Sequence, residues 1–295
     1  GLSGDTVTLF VLNRLPAAIA LVAGYYAARN FADREGGSRG GMLGKTVLLV
    51  LAVVLVVLLA NPFSTARYLA FSAIVGTILG LVAVRSTRSK GWLAGSLVAG
   101  VLLVYPLATW FKKSATQLGD RSIGLGTYTG IDFDGFQMTV NVIDYVERSG
   151  GFAFGQHILA AFAYFVPRSI WSTKPVPASF DVAASRGYSF QNLSLPIWAE
   201  LYLDLGIVGL ILGMLAIGYA SRRIDLAYAF HPGSTRAHLA VLVAVAQFGV
   251  IRGPLGGSIV FFGTVLVIGW LAVAGTSRTP GHRSTCEPPR RRRDP

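Results

Sequence analysis

The densest chemistry in this sequence lies in Pro167-Arg168, Trp171 and Lys174-Pro175, set within the only long polar stretch between apolar runs. Proline fixes its own φ and restricts the residue before it, so Lys174, and the chain entering Arg168, sit on restrained backbone. Two such cations around an aromatic ring suit an anionic lipid head group, and a pyrophosphate-linked lipid above all, because a guanidinium fork grips two oxygens at once. Glu200 and Asp204 are one turn apart on one helical face, at the opening of an apolar run. An acid there is costly unless it faces water or a partner. The plainer reading is a solvated acid stabilised by the helix dipole; the functional one is a carboxylate at the lip of a cavity, facing the Arg168 loop. Arg252, in the turn Arg252-Gly253-Pro254 between two apolar runs, either snorkels or lines the same cavity.

The elements that must position these groups are apolar. Of 295 residues, 53% are hydrophobic and 14% charged, and the mean hydropathy is +0.56. Soluble domains carry about 25% charged residues, so the chain belongs to the membrane class. The single cysteine, Cys286, excludes a disulfide framework and any cysteine-based metal cluster. The four histidines have no ligand spacing, so no metal and no cofactor is expected. The first residue is Gly, and no basic stretch precedes an apolar core. The sequence is therefore expected to begin inside a longer gene product.

Apolar runs of roughly bilayer-spanning length occur at 9–28, 42–60, 68–84, 92–111, 197–220, 237–251 and 255–275. The reading is an all-α integral membrane protein: a polytopic bundle of about seven transmembrane helices, six and eight being the neighbouring counts. Residues 1–111 hold four spans, 112–196 one long extracytoplasmic region with short interfacial helices, 197–275 three spans, and 276–295 a disordered basic tail. Within the long region, 119–135 reads as loop. Phe136, Val140, Ile143 and Val146 mark a short amphipathic helix over 136–148. The apolar run 158–166 is too short to cross and is expected to lie in the interface or to re-enter, delivering Pro167-Arg168 at head-group depth, and 176–196 reads as loop again.

Alternate connections divide the charge unevenly. One side takes 16 of the 26 Lys and Arg residues and five of the 14 acids, for net charges of +11 and +1. Cytoplasmic loops are enriched in Lys and Arg, so the first side, which includes the 276–295 tail, is expected to be cytoplasmic and 112–196 to face outward. The same charge explains the high isoelectric point and the Arg290–Arg293 run, which leaves nothing for nucleic acid to account for.

Gly155, Pro167-Arg168-x-x-Trp171-x-x-Lys174-Pro175, Ser194-x-Pro196, Glu200-x-Tyr202, Gly206-x-x-Gly209 and Arg252-Gly253 together resemble the O-antigen polymerase family, the Wzy-type oligosaccharide repeat-unit polymerases. The resemblance covers roughly 132–275. It implies metal-independent transfer, on the outer membrane face, of a glycan from undecaprenyl pyrophosphate to another lipid-linked repeat unit. It also implies membrane lipids, a flippase and a chain-length regulator as neighbours. That chemistry needs cations for the leaving group: Arg168, Lys174 and Arg186, with Arg121 and Arg252. It needs a base for the attacking hydroxyl, for which Glu200, Asp134 and His157 are candidates. It needs surfaces for sugar, and Trp171, Tyr188, Asn192 and Trp198 are available.

Each candidate also has a plainer reading. Trp171 and Trp198 fit an interfacial aromatic belt. Asp132 and Asp134 fit capping of the helix after them, and His157 is a lone histidine. Two other functions use the same residues. A lipid-oligosaccharide flippase would place charges near the bilayer midplane, whereas these runs are nearly charge-free inside. A ligase-like transferase differs only in its acceptor. A structural membrane subunit is the third alternative.

Overall fold

In hydrocarbon every backbone N–H and C=O must be paired within its own segment, so long apolar runs fold as helices. A computed structural model of the chain describes residues 5–33, 39–61, 66–82, 88, 91–96, 99, 135–188, 195–230 and 234–276. Among these the regular structure is entirely helical. The helices are α1 (Asp5–Ala32), α2 (Arg39–Leu59), α3 (Arg67–Leu81), α4 (Gly135–Ser149), α5 (Gln156–Phe162), α6 (Ala178–Ser185), α7 (Ile197–Phe230), α8 (Thr235–Arg252) and α9 (Leu255–Thr276).

Among the described residues three helical segments are long and apolar enough to cross a membrane: Gly41–Leu59, Ile197–Phe230 and Leu255–Ala272. The segment Tyr68–Leu81 is apolar but shorter. The run expected at 92–111 falls mostly outside the described residues. The exposed sides of α2 and α7 carry Val50, Leu51, Leu58, Ile207, Leu212 and Leu215, apolar surface of the kind that lipid solvates.

Two cores organise the chain. The larger joins α1, α3, α8 and α9 around Leu21, Leu69, Leu242, Phe261 and Val265. Small residues let α1 and α3 approach closely: a side chain at Gly80 would run into the Tyr25 carbonyl and Ala28. The smaller core joins α4 and α6 to the first turns of α7 through Met138, Val142, Val182, Leu195 and Leu203. It holds α4, α6 and the start of α7 together as one layer.

Three sequence expectations change here. The stretch 176–196 does not stay a loop, because α6 forms over Ala178–Ser185. Pro177 takes the N-cap position, and Ala178, Val182 and Ala183 give the eight-residue helix a buried face. The connection after the fifth apolar run is helical too: α7 runs on to Phe230. No Gly or Pro interrupts 221–230, and Arg222 pairs with Asp225 at 3.1 Å across one turn. The helix at 136–148 forms as Gly135–Ser149, yet it turns a different face inward. Met138, Asn141, Val142 and Val146 are buried, while Phe136 is 86% exposed and Val140 and Ile143 are also exposed.

Candidate functional site

The site is organised by a break in α7. At Gly206 the backbone takes φ 67° and ψ −157° inside an otherwise helical run. Only glycine occupies that region at little cost. The break frees the Leu203 carbonyl, which accepts the Ala153 N–H at 3.0 Å. The Phe152 ring fills the space where a Gly206 side chain would be, and it meets Tyr202 edge-on at 5.8 Å. The 152–155 segment is thereby pinned to α7, and α5 starts beside Asp204.

Asp204 is fully buried. One of its carboxylate oxygens accepts the Ile158 N–H at 2.8 Å, in the first turn of α5. The other lies 2.7 Å from His157 Nδ1. On the far side of the ring, His157 Nε2 is 3.4 Å from Asp181 Oδ2, on α6. Burial opposes a charge on His157, but the hydrogen bonds and charges of Asp181 and Asp204 outweigh it and lift the pKa to about 9. At neutral pH the ring is therefore an imidazolium bridging two carboxylates, and it has no lone pair with which to act as a base. The carboxylates approach opposite nitrogens, so they share no common centre. Among the described residues no group of His, Cys, Asp or Glu gathers as metal ligands do.

Glu200 is 3% exposed, and its Oε2 accepts the Leu255 N–H at 2.6 Å, at the start of α9. The two acids of α7 thus each accept a backbone N–H from the first turn of a neighbouring helix. They are neither solvated at a helix mouth nor facing the Arg168 loop. They tie α5 and α9 to α7.

The Pro-Arg-Trp-Lys-Pro segment is a compact turn after α5. Lys174 Nζ donates to the carbonyls of Ala163, Tyr164 and Val166 at 2.9, 3.0 and 3.0 Å. All three ammonium donors are used, on carbonyls of the turn that follows α5. Burial, with the Arg168 charge behind it, lowers the Lys174 pKa. Lys174 clamps the turn. Arg168 is exposed, and it donates to the carbonyls of Lys174 at 2.8 Å and Pro175 at 3.4 Å. Trp171 is half-buried inside the turn, its N–H bonded to the Pro167 carbonyl at 3.1 Å.

The remaining candidates sit apart. Arg186 pairs with Asp144 on α4 at 3.2 Å, beside the Arg148–Asp144 pair at 2.9 Å. Tyr188 Oη accepts from the buried Asn141 at 3.2 Å. Trp198 Nε1 donates to Thr139 at 3.0 Å, which ties α7 to α4 rather than leaving an open platform. Arg252 ends α8, near Tyr68 and Arg14 in the larger core. Asp132, Asp134, Arg121 and Asn192 lie outside the described residues.

Sequence reasoning missed Asp181, which looked like one loop acid among several. Its contact with His157 spans 24 positions and joins two short helices. An acid one turn into an Ala-rich octet after Lys-Pro-x-Pro was the only local signal. No family model, no curated protein and no solved structure matches this chain.

Proposed function

We propose that the chain is a metal-independent membrane glycosyltransferase, one that lengthens a glycan carried on undecaprenyl pyrophosphate. In this reading it crosses the bacterial plasma membrane about seven times and holds 112–196 on the outer face. The donor is one lipid-linked repeat unit, and the acceptor is the terminal sugar of another. The supporting observation is the Arg168 turn. A guanidinium has five N–H donors, and two backbone carbonyls engage this one from one side. The turn beneath it is locked by Lys174, and the apolar side chains of Phe165 and Ile170, the latter 79% exposed, flank it. An exposed, preorganised Arg among exposed apolar side chains suits a pyrophosphate head group whose lipid tail stays in the bilayer.

Arg168→Ala tests the reading with purified protein in lipid, undecaprenyl-pyrophosphate-linked repeat units and EDTA. Polymer should fall about a hundred- to thousand-fold at matched protein level, the usual cost of removing one preorganised charge-stabilising donor. Arg168→Lys should recover only part, because an ammonium keeps the charge and loses the fork. Polymer from Arg168→Ala at near wild-type length would sink the assignment. Transfer to a lipid A-core acceptor in place of a second repeat unit would shift it to the ligase class.

A further inference from the structure

We infer that Asp181 is the general base of this transfer and that the buried His157–Asp204 pair is the device that positions it. The inference rests on the glycosyl-transfer reading and adds the residue that activates the acceptor. It starts from what four of the described acids are already doing. Glu200 and Asp204 are sealed inside and hold helix N-termini. Asp144 is taken by two arginines. Asp181 has a side chain 36% exposed and, among the described residues, bonds His157 Nε2. One carboxylate oxygen is thus oriented from behind by the ring, while the group keeps a face toward water.

The ring that orients it is itself immobile. Its other nitrogen is fixed at 2.7 Å by Asp204, and Asp204 is fixed in turn by the Ile158 N–H. The line Ile158 N–H, Asp204, His157, Asp181 therefore runs from a buried helix end out to the surface. A mobile surface acid needs no such support. A base does, because proton abstraction depends on a hydrogen-bond distance held to within a fraction of an ångström.

The placement fits the reaction as well. The seven residues of α5 span about 10 Å. The Arg168 turn hangs on the C-terminal end of α5, and the His157–Asp181 contact lies at its N-terminal end. A donor lying along α5 would put its pyrophosphate at Arg168 and its anomeric carbon toward Asp181. The acceptor hydroxyl oxygen then bonds to the anomeric carbon. The bond from that carbon to the phosphate oxygen breaks, and its electron pair leaves with the pyrophosphate. The hydroxyl proton passes to the Asp181 carboxylate and from there to water. His157 stays protonated throughout and is a positioning residue.

The experiment uses the full chain in lipid with undecaprenyl-pyrophosphate-linked repeat units, and Arg168→Ala runs alongside. Asp181→Asn should lower kcat at least about a hundredfold with the KM for the lipid donor near that of the wild type. Asp181→Ala should regain part of its rate in added formate, which supplies a carboxylate to the vacated position. His157→Gln should retain more activity than Asp181→Asn. A purely structural Asp181 would instead give a higher KM, a lower Tm and no response to formate, and that result overturns the inference. So does an Asp181→Asn enzyme within about threefold of wild type while Arg168→Ala is dead. If the wild type makes no polymer and Arg168→Ala changes nothing, the glycosyl-transfer reading falls first and takes this inference with it.

Discussion

At the scale of single residues, His157 is the clearest case of chemistry set by surroundings. Its pKa stands near 9 against an ordinary 6.5, since Asp181 and Asp204 favour the cation more than burial opposes it. A raised folded-state pKa contributes stability in full below about 6.5, and that contribution fades as pH rises through about 9. At about 1.4 kcal/mol per pKa unit the contribution is on the order of 3 kcal/mol at most. Thermal melting between pH 6 and pH 10 should show wild-type Tm falling across pH 7–9.5. His157→Gln should start lower and lack most of that decline. Parallel slopes in the two proteins would mean that the ring is not held as an imidazolium. The sequence made the Arg168 turn legible because its restraint is local: two prolines and a lysine act within eight positions. It could not reveal the His157 bridge, whose partners are 24 and 47 positions away.

At the scale of elements, the break in α7 decides where the site forms. Its glycine was visible in the sequence, but a glycine inside an apolar run carries no mark of whether the helix continues through it. The positive φ, the Leu203 carbonyl turned to Ala153 and the Phe152 ring supply that mark. Gly206→Ala should cost about 1–3 kcal/mol from backbone strain alone, with a further penalty because the new carbon would lie 2.9 Å from Phe152. Phe152→Ala also destabilises, by loss of packing. It removes the obstacle, however, so the double variant should lose less stability than the two single losses together. Strict additivity in chemical denaturation would show that Phe152 does not pack on the break. The short helices were legible in proportion to their pattern. The apolar spacing over 136–148 exposed a helix, though it pointed to the wrong face, since Phe136 and Val140 stay outside. The α6 octet is too short for a period, and its flanking prolines and polar residues made it read as loop.

At the scale of the whole molecule, the expected orientation comes from charge. Three described segments are long and apolar enough to cross a membrane, but such segments are symmetric with respect to the two sides. The uneven distribution of Lys and Arg, +11 against +1 over the expected connections, breaks the symmetry, and it predicts that the α4–α6 layer lies outside. The proposed chemistry requires the same side, because Arg168, Asp181 and the Pro167–Pro175 turn all belong to that layer. Ser185, at the exposed end of α6, is a position where a cysteine should disturb little, its hydroxyl bonding only the Val182 carbonyl of its own helix. In intact cells an impermeant maleimide should label Ser185→Cys in a Cys286→Ser background. It should not label native Cys286 until the membrane is opened. Labelling of Cys286 with protection of the Ser185→Cys thiol would invert the molecule, and it would put the Arg168 turn on the cytoplasmic side, against the proposed transfer on the outer face.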